Sequence, residues 1–289
     1  MHGFLLHNGS LHKTSEKLLS PGQVGLMNGW GVFSTMRVFD GVLFAFERHW
    51  ARMKKDATLM RVPFPDSPEA LHDDLLKLVA ANHTPNATLR VCIVRNRGGL
   101  FEGEGNTRDF DCIAFTTDIH RWGKDVTLAV QPHARHAACA FAGAKILSWA
   151  FNLTWLEMAR ERGFDEVILL NEHGRVSECT SANIFAAIGS DVRTPPLSSG
   201  CLPGVTREIL LSESRAAGIV VAETGLGLED LYNADSVFIT STTRELLPVR
   251  SIEGRELRQD GPARLLMQKA FSKYVDRYVS EARSRVAVG

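Results

Sequence analysis

The sequence of 289 residues lacks the features by which exported and membrane-spanning proteins are recognised. It contains no run of about 18 apolar residues, and its start, MHGFLLHNGSLHK, has neither the basic region nor the apolar stretch of a signal peptide. The five cysteines are odd in number and far apart, without a C-x-x-C pair, which argues against disulfides and zinc. We therefore expect a cytoplasmic protein without a membrane partner.

Excess charge and clustered metal ligands are also lacking. Lys plus Arg and Asp plus Glu both number 33, so no net charge attracts nucleic acid or an anionic membrane. The ten histidines are scattered through the chain, and we expect no metal site. Any site for an anion must then be local, and the expected partners are small molecules.

The length and the pattern of elements favour two domains. A single hydrophobic core rarely grows beyond roughly 250 to 300 residues, which is the size of this chain. Strand-like runs alternate with helical patterns in both halves, so we predict an α/β (α+β) fold. We place a small N-terminal α/β domain at residues 1–120, a linker at 121–133 and a larger, β-rich domain with helices at 134–289.

Local signals predict the elements of the first domain. Asp40 and Gly41 lie between two alternating segments, which indicates a hairpin. Apolar residues at helical spacing predict a helix over residues 47–60. Ser67 and Pro68 then occupy the N-cap and the first position of a second predicted helix.

In the second domain, the sequence predicts a long helix over residues 148–162, with Ser148 as its N-cap and Phe151 and Trp155 along one face. Two strands follow that turn at His173-Gly174. Further on, ADSVFITSTTRELLPV has the pattern of a strand that runs into a loop.

Lys145 is the first candidate for chemistry. It stands among small and apolar residues in CAFAGAKILSWAF, far from the neighbouring lysines Lys124 and Lys269. An amine in an apolar site loses its proton more readily, which makes it a nucleophile for carbonyl groups. A lysine that extends from the end of a strand to solvent is the more frequent explanation of such a pattern taken alone.

Two turns are suited to holding an anion. The sequence LPGVTRE starts a predicted helix whose first free N–H groups belong to Val205 and Thr206. The sequence TSTTRE ends a strand with the hydroxyls of Ser241 and Thr242. Phosphate would suit either turn, although ordinary helix caps and polar loops share these patterns.

Charged residues complete the candidates. Arg52 lies three residues after His49 on one helical face and could supply the counter-charge of a phosphate. Glu178 lies in a strand-like run of small and apolar residues, where a carboxylate is costly without a cation. Its partner could be structural, such as Arg175, or a protonated heterocycle nitrogen of a cofactor.

Four arginines could bind a substrate carboxylate through their fork of donors. Arg90 and Arg95 are five apart in one strand and therefore point to opposite faces. Arg37 lies in the preceding hairpin, and Arg244 follows the hydroxyl cluster. Surface ion pairing is the default explanation of each of them.

Six features, taken in order, resemble the fold type IV pyridoxal-phosphate enzymes, the class IV aminotransferase family, over nearly the whole chain. They are HWAR, LRVCIVR, Lys145, GFDEVILLNEHGRVSECTSANIF, LPGVTRE and TSTTRELLPV. The resemblance implies a small N-terminal lobe, a larger C-terminal lobe, pyridoxal 5′-phosphate as cofactor, and usually a homodimer. It makes Lys145 the catalytic Schiff-base lysine and Glu178 the partner of the pyridinium nitrogen.

The same resemblance implies roles for the remaining candidates. Phosphate ligands would be Arg52, Val205, Thr206, Ser241 and Thr242. Substrate-binding residues would be Arg37, Arg90, Arg95, Thr243 and Arg244.

The motifs do not select one branch of the family, which includes branched-chain aminotransferases, D-amino acid aminotransferases and aminodeoxychorismate lyases. Ala150 stands where branched-chain enzymes usually have a tyrosine, and FSTMR is closer to the lyases. We expect an aminotransferase that moves an amino group between an amino acid and a 2-oxo acid, the commoner chemistry of the family. The alternatives are an aminodeoxychorismate lyase that forms 4-aminobenzoate and pyruvate, and a catalytically silent pyridoxal-phosphate or phosphate-ligand binding protein.

Overall fold

A computed structural model describes residues 1–100, 102–103 and 106–288, with side chains up to residue 285. The chain divides into two compact units. The first unit contains residues 1–120, 144–149 and the C-terminal residues from Tyr278, and the second contains residues 121–143 and 150–277. The segment predicted as a linker, residues 121–133, instead holds the start of a strand of the second unit.

The first unit is an antiparallel sheet with helices. Its strands are β1 (Phe4–His7), β2 (Ser10–Lys13), β3 (Gly31–Phe39), β4 (Val42–Leu43), β5 (Ala87–Arg95) and β6 (Phe110–Thr117). Its helices are α1 (Val24–Asn28), α2 (Phe46–Leu59) and α3 (Pro68–Ala81). The strands lie in the order β2-β1-β6-β5-β3-β4.

The predicted elements of this unit are confirmed. Asp40 and Gly41 connect β3 to β4, and the Ser67 hydroxyl accepts the Ala70 amide at 3.0 Å as the N-cap of α3. Strand alternation places every second residue of β3 and β5 on one face, where buried side chains such as Met36 pack into the core.

The second unit is a larger mixed sheet with helices around it. Its strands are β7 (Val126–Arg135), β8 (Glu166–Asn171), β9 (Val176–Cys179), β10 (Asn183–Ile188), β11 (Asp191–Thr194), β12 (Val220–Glu223), β13 (Ser236–Ser241), β14 (Glu245–Ile252) and β15 (Arg255–Glu256). The strand order is β12-β11-β10-β13-β14-β7-β8-β9, with β15 paired to β14. Its helices are α4 (Ala150–Glu161), α5 (Val205–Ser212), α6 (Leu228–Asn233) and α7 (Ala263–Val288), the last of which ends in the first unit.

Two details of the predicted second domain are corrected. Helix α4 begins at Ala150, and the Ser148 hydroxyl donates to the Gly29 carbonyl at 3.0 Å instead of capping the helix. Phe151 stacks with Trp155 but is 76% exposed, because the inward face of α4 is formed by residues such as Ala159.

The segment predicted as a strand running into a loop is a hairpin. Strand β13 turns at residues 242–244 and returns as β14, with Ser241 opposite Glu245. The predicted turn at His173-Gly174 between β8 and β9 is confirmed.

No helix of the described ranges is long and apolar enough to span a bilayer. Among the side chains that the structure describes, no three His, Cys, Asp or Glu residues are grouped closely enough to bind a metal ion.

Candidate active site

Lys145 lies in a short segment, residues 144–149, that runs along the edge of β3. Ile146 forms an isolated antiparallel bridge with Val32. The Phe33 amide donates to the Lys145 carbonyl oxygen at 3.1 Å. The sheet therefore fixes the main chain of the lysine, although the segment pairs with β3 through a single bridge and does not form a strand.

Gly31 is required for this close approach. A Cβ atom at this position would lie 2.4 Å from the Ile93 carbonyl oxygen and 2.5 Å from a methyl group of Leu147. The Leu147 amide also donates to the Gly31 carbonyl oxygen at 2.9 Å. A larger residue at the start of β3 would displace the segment that carries the lysine.

The side chain of Lys145 lies against aromatic rings. Its Nζ atom is 4.6 Å from the centre of the Phe33 ring and 5.9 Å from that of Trp149. Its amide donates to Asp56 Oδ2 at 3.1 Å. Burial raises the pKa of Asp56, and this hydrogen bond from Lys145 opposes the rise. The first unit thus presents a half-buried amine beside two aromatic side chains.

One face of α2 brings three polar residues beneath this segment. His49, Arg52 and Asp56 are three and four residues apart and all buried. Arg52 Nη2 donates to Ser34 Oγ at 2.7 Å, and Ser34 Oγ lies 2.7 Å from His49 Nδ1. Burial, followed by the charges of Arg52 and Lys145, holds the pKa of His49 well below its usual range. A buried cation, Arg52, therefore lies in the same unit as Lys145.

The three candidate substrate arginines of this unit have different surroundings. Arg90 stacks 3.9 Å from the centre of the Phe33 ring, the ring that also contacts the Lys145 amine. Arg37 lies 5.0 Å from the centre of the Phe39 ring. The structure thus brings Arg90 and the lysine to one aromatic side chain.

Arg95 has other partners. It stacks 4.1 Å from the centre of the Trp30 ring and donates to the carbonyl oxygens of Arg61 and Arg97 at 2.6 and 2.7 Å. The guanidinium of Arg95 is therefore hydrogen-bonded to the backbone of the protein.

Glu178 lies on β9 of the second unit and is paired with a residue that the sequence did not single out. Its Oε1 atom accepts from Arg135 Nε at 3.0 Å, and its Oε2 atom accepts from the Leu202 amide at 3.0 Å. The carboxylate is buried, and Arg135, not Arg175, is the cation beside it. Pairing of β7 with β8 and of β8 with β9 brings the two residues together.

Arg135 is itself fixed on its other side. Its Nη2 atom donates to Asn152 Oδ1 at 3.3 Å, and Asn152 Nδ2 donates to the Thr180 carbonyl oxygen at 2.6 Å. Each Glu178 oxygen has a second lone pair, so the carboxylate can accept further donors.

The first turn that was predicted to hold an anion lies at the start of α5. Helix α5 begins at Val205, and a Cβ atom on Gly204 would lie 2.1 Å from Asn183 Oδ1, so a larger residue there would require the Asn183 side chain to move. First-turn N–H groups have no acceptor within their helix, and those of Val205 and Thr206 can bind an anion. Thr206 is buried at this point.

The second predicted turn joins β13 to β14. The Ser241 hydroxyl accepts the Arg244 amide at 3.2 Å and lies 3.5 Å from Thr243 Oγ1. Thr242 lies between them and is half-buried. Three hydroxyl groups are therefore concentrated at one turn.

The guanidinium of Arg244 is engaged within the second unit. It pairs with Glu166 through Nη2 and Oε2 at 3.0 Å, donates to the Ser181 carbonyl oxygen at 3.1 Å, and lies 3.8 Å from the centre of the Trp122 ring. Burial lowers the pKa of Arg244, and Glu166 opposes this shift. The side chain that was predicted to reach substrate thus has three protein partners.

Comparison with known proteins gives consistent matches. The sequence matches the family described as Amino-transferase class IV over residues 31–252. It is 31% identical over 252 residues, 86% of this chain and 87% of the relative, to a Methanocaldococcus jannaschii protein provisionally named a branched-chain-amino-acid aminotransferase. It is 26% identical over 287 residues, 96% of this chain and 97% of the relative, to the aminodeoxychorismate lyase of Bacillus subtilis.

A solved structure extends the match to the fold. The branched-chain amino acid aminotransferase of Escherichia coli has a TM-score of 0.86 to this chain at 26% identity, with 95% of each chain covered. The fold class and the family resemblance predicted from the ordered motifs are thereby confirmed.

Proposed function

The chain belongs to the class IV aminotransferase family, and from this premise we propose that it transfers an amino group between an amino acid and a 2-oxo acid. Pyridoxal 5′-phosphate is the cofactor of this family, and when bound it supplies an electron sink for the charge left by the substrate's α-proton. The residues of this chain must then hold that group, bind the substrate and move the proton.

The donor groups of the chain fit this cofactor. The amine of Lys145, which lies beside the rings of Phe33 and Trp149, would bind the carbonyl group of the cofactor. The buried Glu178 carboxylate can accept from a protonated ring nitrogen, and Arg135 pairs with the same carboxylate at 3.0 Å. We assign the binding of the phosphate to a set of cationic, amide and hydroxyl donors: Arg52, Val205, Thr206, Ser241 and Thr242.

Lys145 is the residue that we propose moves the proton. Its Nζ atom would take the proton from the substrate α-carbon and deliver it to a second carbon centre. Phe33 and Trp149 would limit the access of water to the amine, because their rings lie within 6 Å of it. The position of this amine at the edge of β3, in one unit with the buried Arg52, is the observation that carries the proposal.

For the substrate carboxylate we favour Arg90. Its guanidinium contacts the Phe33 ring, which the Lys145 amine also contacts. Arg37 is a second cation on this side of the sheet, because it lies four residues after Phe33 on the same face of β3. Arg95 and Arg244 are less suited, since both are bonded to protein groups. Substitution of Arg90 by methionine is therefore expected to raise KM for the amino acid more than substitution of Arg95.

A product assay distinguishes the two reactions of this family. The holoenzyme is incubated with single amino acids and a 2-oxo acid acceptor, and separately with aminodeoxychorismate. We expect new amino acid and new 2-oxo acid in equal amounts, and no product from the Lys145→Ala variant. Release of 4-aminobenzoate from aminodeoxychorismate, without transfer to any 2-oxo acid, would instead identify a lyase like the Bacillus subtilis relative.

Absence of every product from protein that binds the cofactor would identify a silent binding protein. We also propose a homodimer that acts in the cytoplasm, from the family resemblance and the unpaired cysteines of the sequence. Light scattering of the holoenzyme tests the assembly, and a monomeric mass would contradict it.

A further inference from the structure

Three buried polar side chains form a chain of hydrogen bonds beside Lys145. Arg52 Nη2 donates to Ser34 Oγ at 2.7 Å, and Ser34 Oγ lies 2.7 Å from His49 Nδ1. His49 and Arg52 lie on one face of α2, and Ser34 lies on β3, which this helix packs against. All three side chains are buried.

The direction of these hydrogen bonds follows from the chemistry of the groups. A guanidinium only donates, so Ser34 Oγ accepts from Arg52 and keeps its own proton. That proton can be given to His49 Nδ1, which requires a neutral imidazole with its proton on Nε2. Burial and the charges of Arg52 and Lys145 disfavour the protonated ring.

This arrangement costs stability, which argues for a purpose beyond packing. Among the atoms that the structure describes, His49 Nε2 has no hydrogen-bond partner although it is buried. Apolar residues of similar volume would fill the same space without this loss. The presence of the Ser34 hydroxyl and the His49 imidazole is better explained by an effect on Arg52, to which the hydroxyl is bonded.

We propose that Ser34 and His49 are positioning residues that fix the orientation of the Arg52 guanidinium for binding the cofactor phosphate. Ser34 holds one edge of the guanidinium, and His49 holds the Ser34 hydroxyl in the rotamer that accepts from it. The inference rests on the proposed function, which assigns Arg52 to the phosphate, and adds the two residues that act through it.

The test measures the affinity of full-length protein, freed of cofactor, for pyridoxal 5′-phosphate and for pyridoxal, which lacks the phosphate. We expect Ser34→Ala to weaken binding of the phosphorylated ligand about ten-fold, the effect of losing one hydrogen bond to a charged group. His49→Leu should weaken the same binding, because the Ser34 hydroxyl loses its acceptor. Binding of pyridoxal should stay unchanged. A loss that is equal for both ligands would show a general structural role and overturn the inference.

His49→Asn is the matched control. The amide oxygen of asparagine occupies nearly the place of Nδ1 and can accept from Ser34, so this variant should retain most of the affinity that His49→Leu loses. Failure of His49→Asn to bind better than His49→Leu, with both variants folded by circular dichroism, would contradict a role through the Ser34 hydroxyl.

Arg52→Met separates this inference from the proposed function. We expect it to weaken binding of pyridoxal 5′-phosphate, and Ser34→Ala added to it should cause no further loss. If Arg52→Met weakens binding and the Ser34 and His49 variants do not, only the inference fails. If Arg52→Met has no effect, both the assignment of Arg52 to the phosphate and the inference are wrong.

Discussion

Substitution of Arg244 by methionine is expected to destabilise the second unit, because it leaves Glu166 as an uncompensated buried carboxylate. The side chains of Arg244 and Glu166 are only 5% and 1% exposed, and their Nη2 and Oε2 atoms are 3.0 Å apart. Methionine also removes the donor to the Ser181 carbonyl oxygen and the cation beside Trp122. Because both side chains are buried, the loss of one partner lowers the stability of the protein strongly.

The size of the stability loss depends on the hydrogen-bond partners that Glu166 keeps. Removal of one member of a buried ion pair costs about 3 to 5 kcal/mol. Glu166 still accepts from the hydroxyls of Thr180 and Ser181, so we expect a loss near the lower end, about 3 kcal/mol in the free energy of unfolding. The Glu166→Gln, Arg244→Met double variant removes both charges of this ion pair, and most of the loss should be recovered.

The assay is urea unfolding of the apoprotein followed by circular dichroism and tryptophan fluorescence. Arg250→Met is the control, because Arg250 is 48% exposed in its pairs with Asp125 and Glu256 and should cost less than about 1 kcal/mol. An Arg244→Met variant within about 0.5 kcal/mol of the wild type would refute the reasoning. A double variant less stable than either single variant would refute it equally.

Two further predictions concern carboxylates. Glu178→Ala should keep the cofactor yet lower kcat by about a hundred-fold, because the ring nitrogen loses its partner; turnover per bound cofactor measures this, and unchanged turnover would remove Glu178 from the mechanism. The amides of Ala137 and Ala138, with His136, lower the pKa of Glu172 from 4.5 to about 2. Its stabilising effect is therefore complete above pH 4.5 and lost as the pH falls toward about 2. Glu172→Gln should be less stable at pH 7 and approach the wild type near pH 2, and a constant difference in urea unfolding at all pH values would contradict this.

Elements marked by local chemistry could be predicted from the sequence. Ser67 and Pro68 begin α3 because a hydroxyl cap and a fixed φ act within one turn. The turn at Asp40-Gly41 is similarly local. The motif order also sufficed for the family, since it places an amine, an acid and two anion turns along one chain.

What depends on distant contacts could not be predicted. Arg135 gave no signal in the sequence, because it meets Glu178 only through the pairing of β7, β8 and β9. Ser148 matched a helix cap, yet its hydroxyl donates to Gly29, which is over a hundred residues earlier. Arg244 matched a substrate ligand, and its pairing with Glu166 joins the turn between β13 and β14 to strand β8, which lies 78 residues earlier in the sequence.

The central claim is that Lys145 is the amine that holds pyridoxal 5′-phosphate. Borohydride reduction of the yellow holoenzyme, followed by digestion and mass spectrometry, tests this most directly. We predict the mass of the reduced cofactor on the peptide that contains Lys145, and no such mass in the Lys145→Ala variant. Attachment at another lysine, or colourless protein that takes up no added cofactor, would contradict the account.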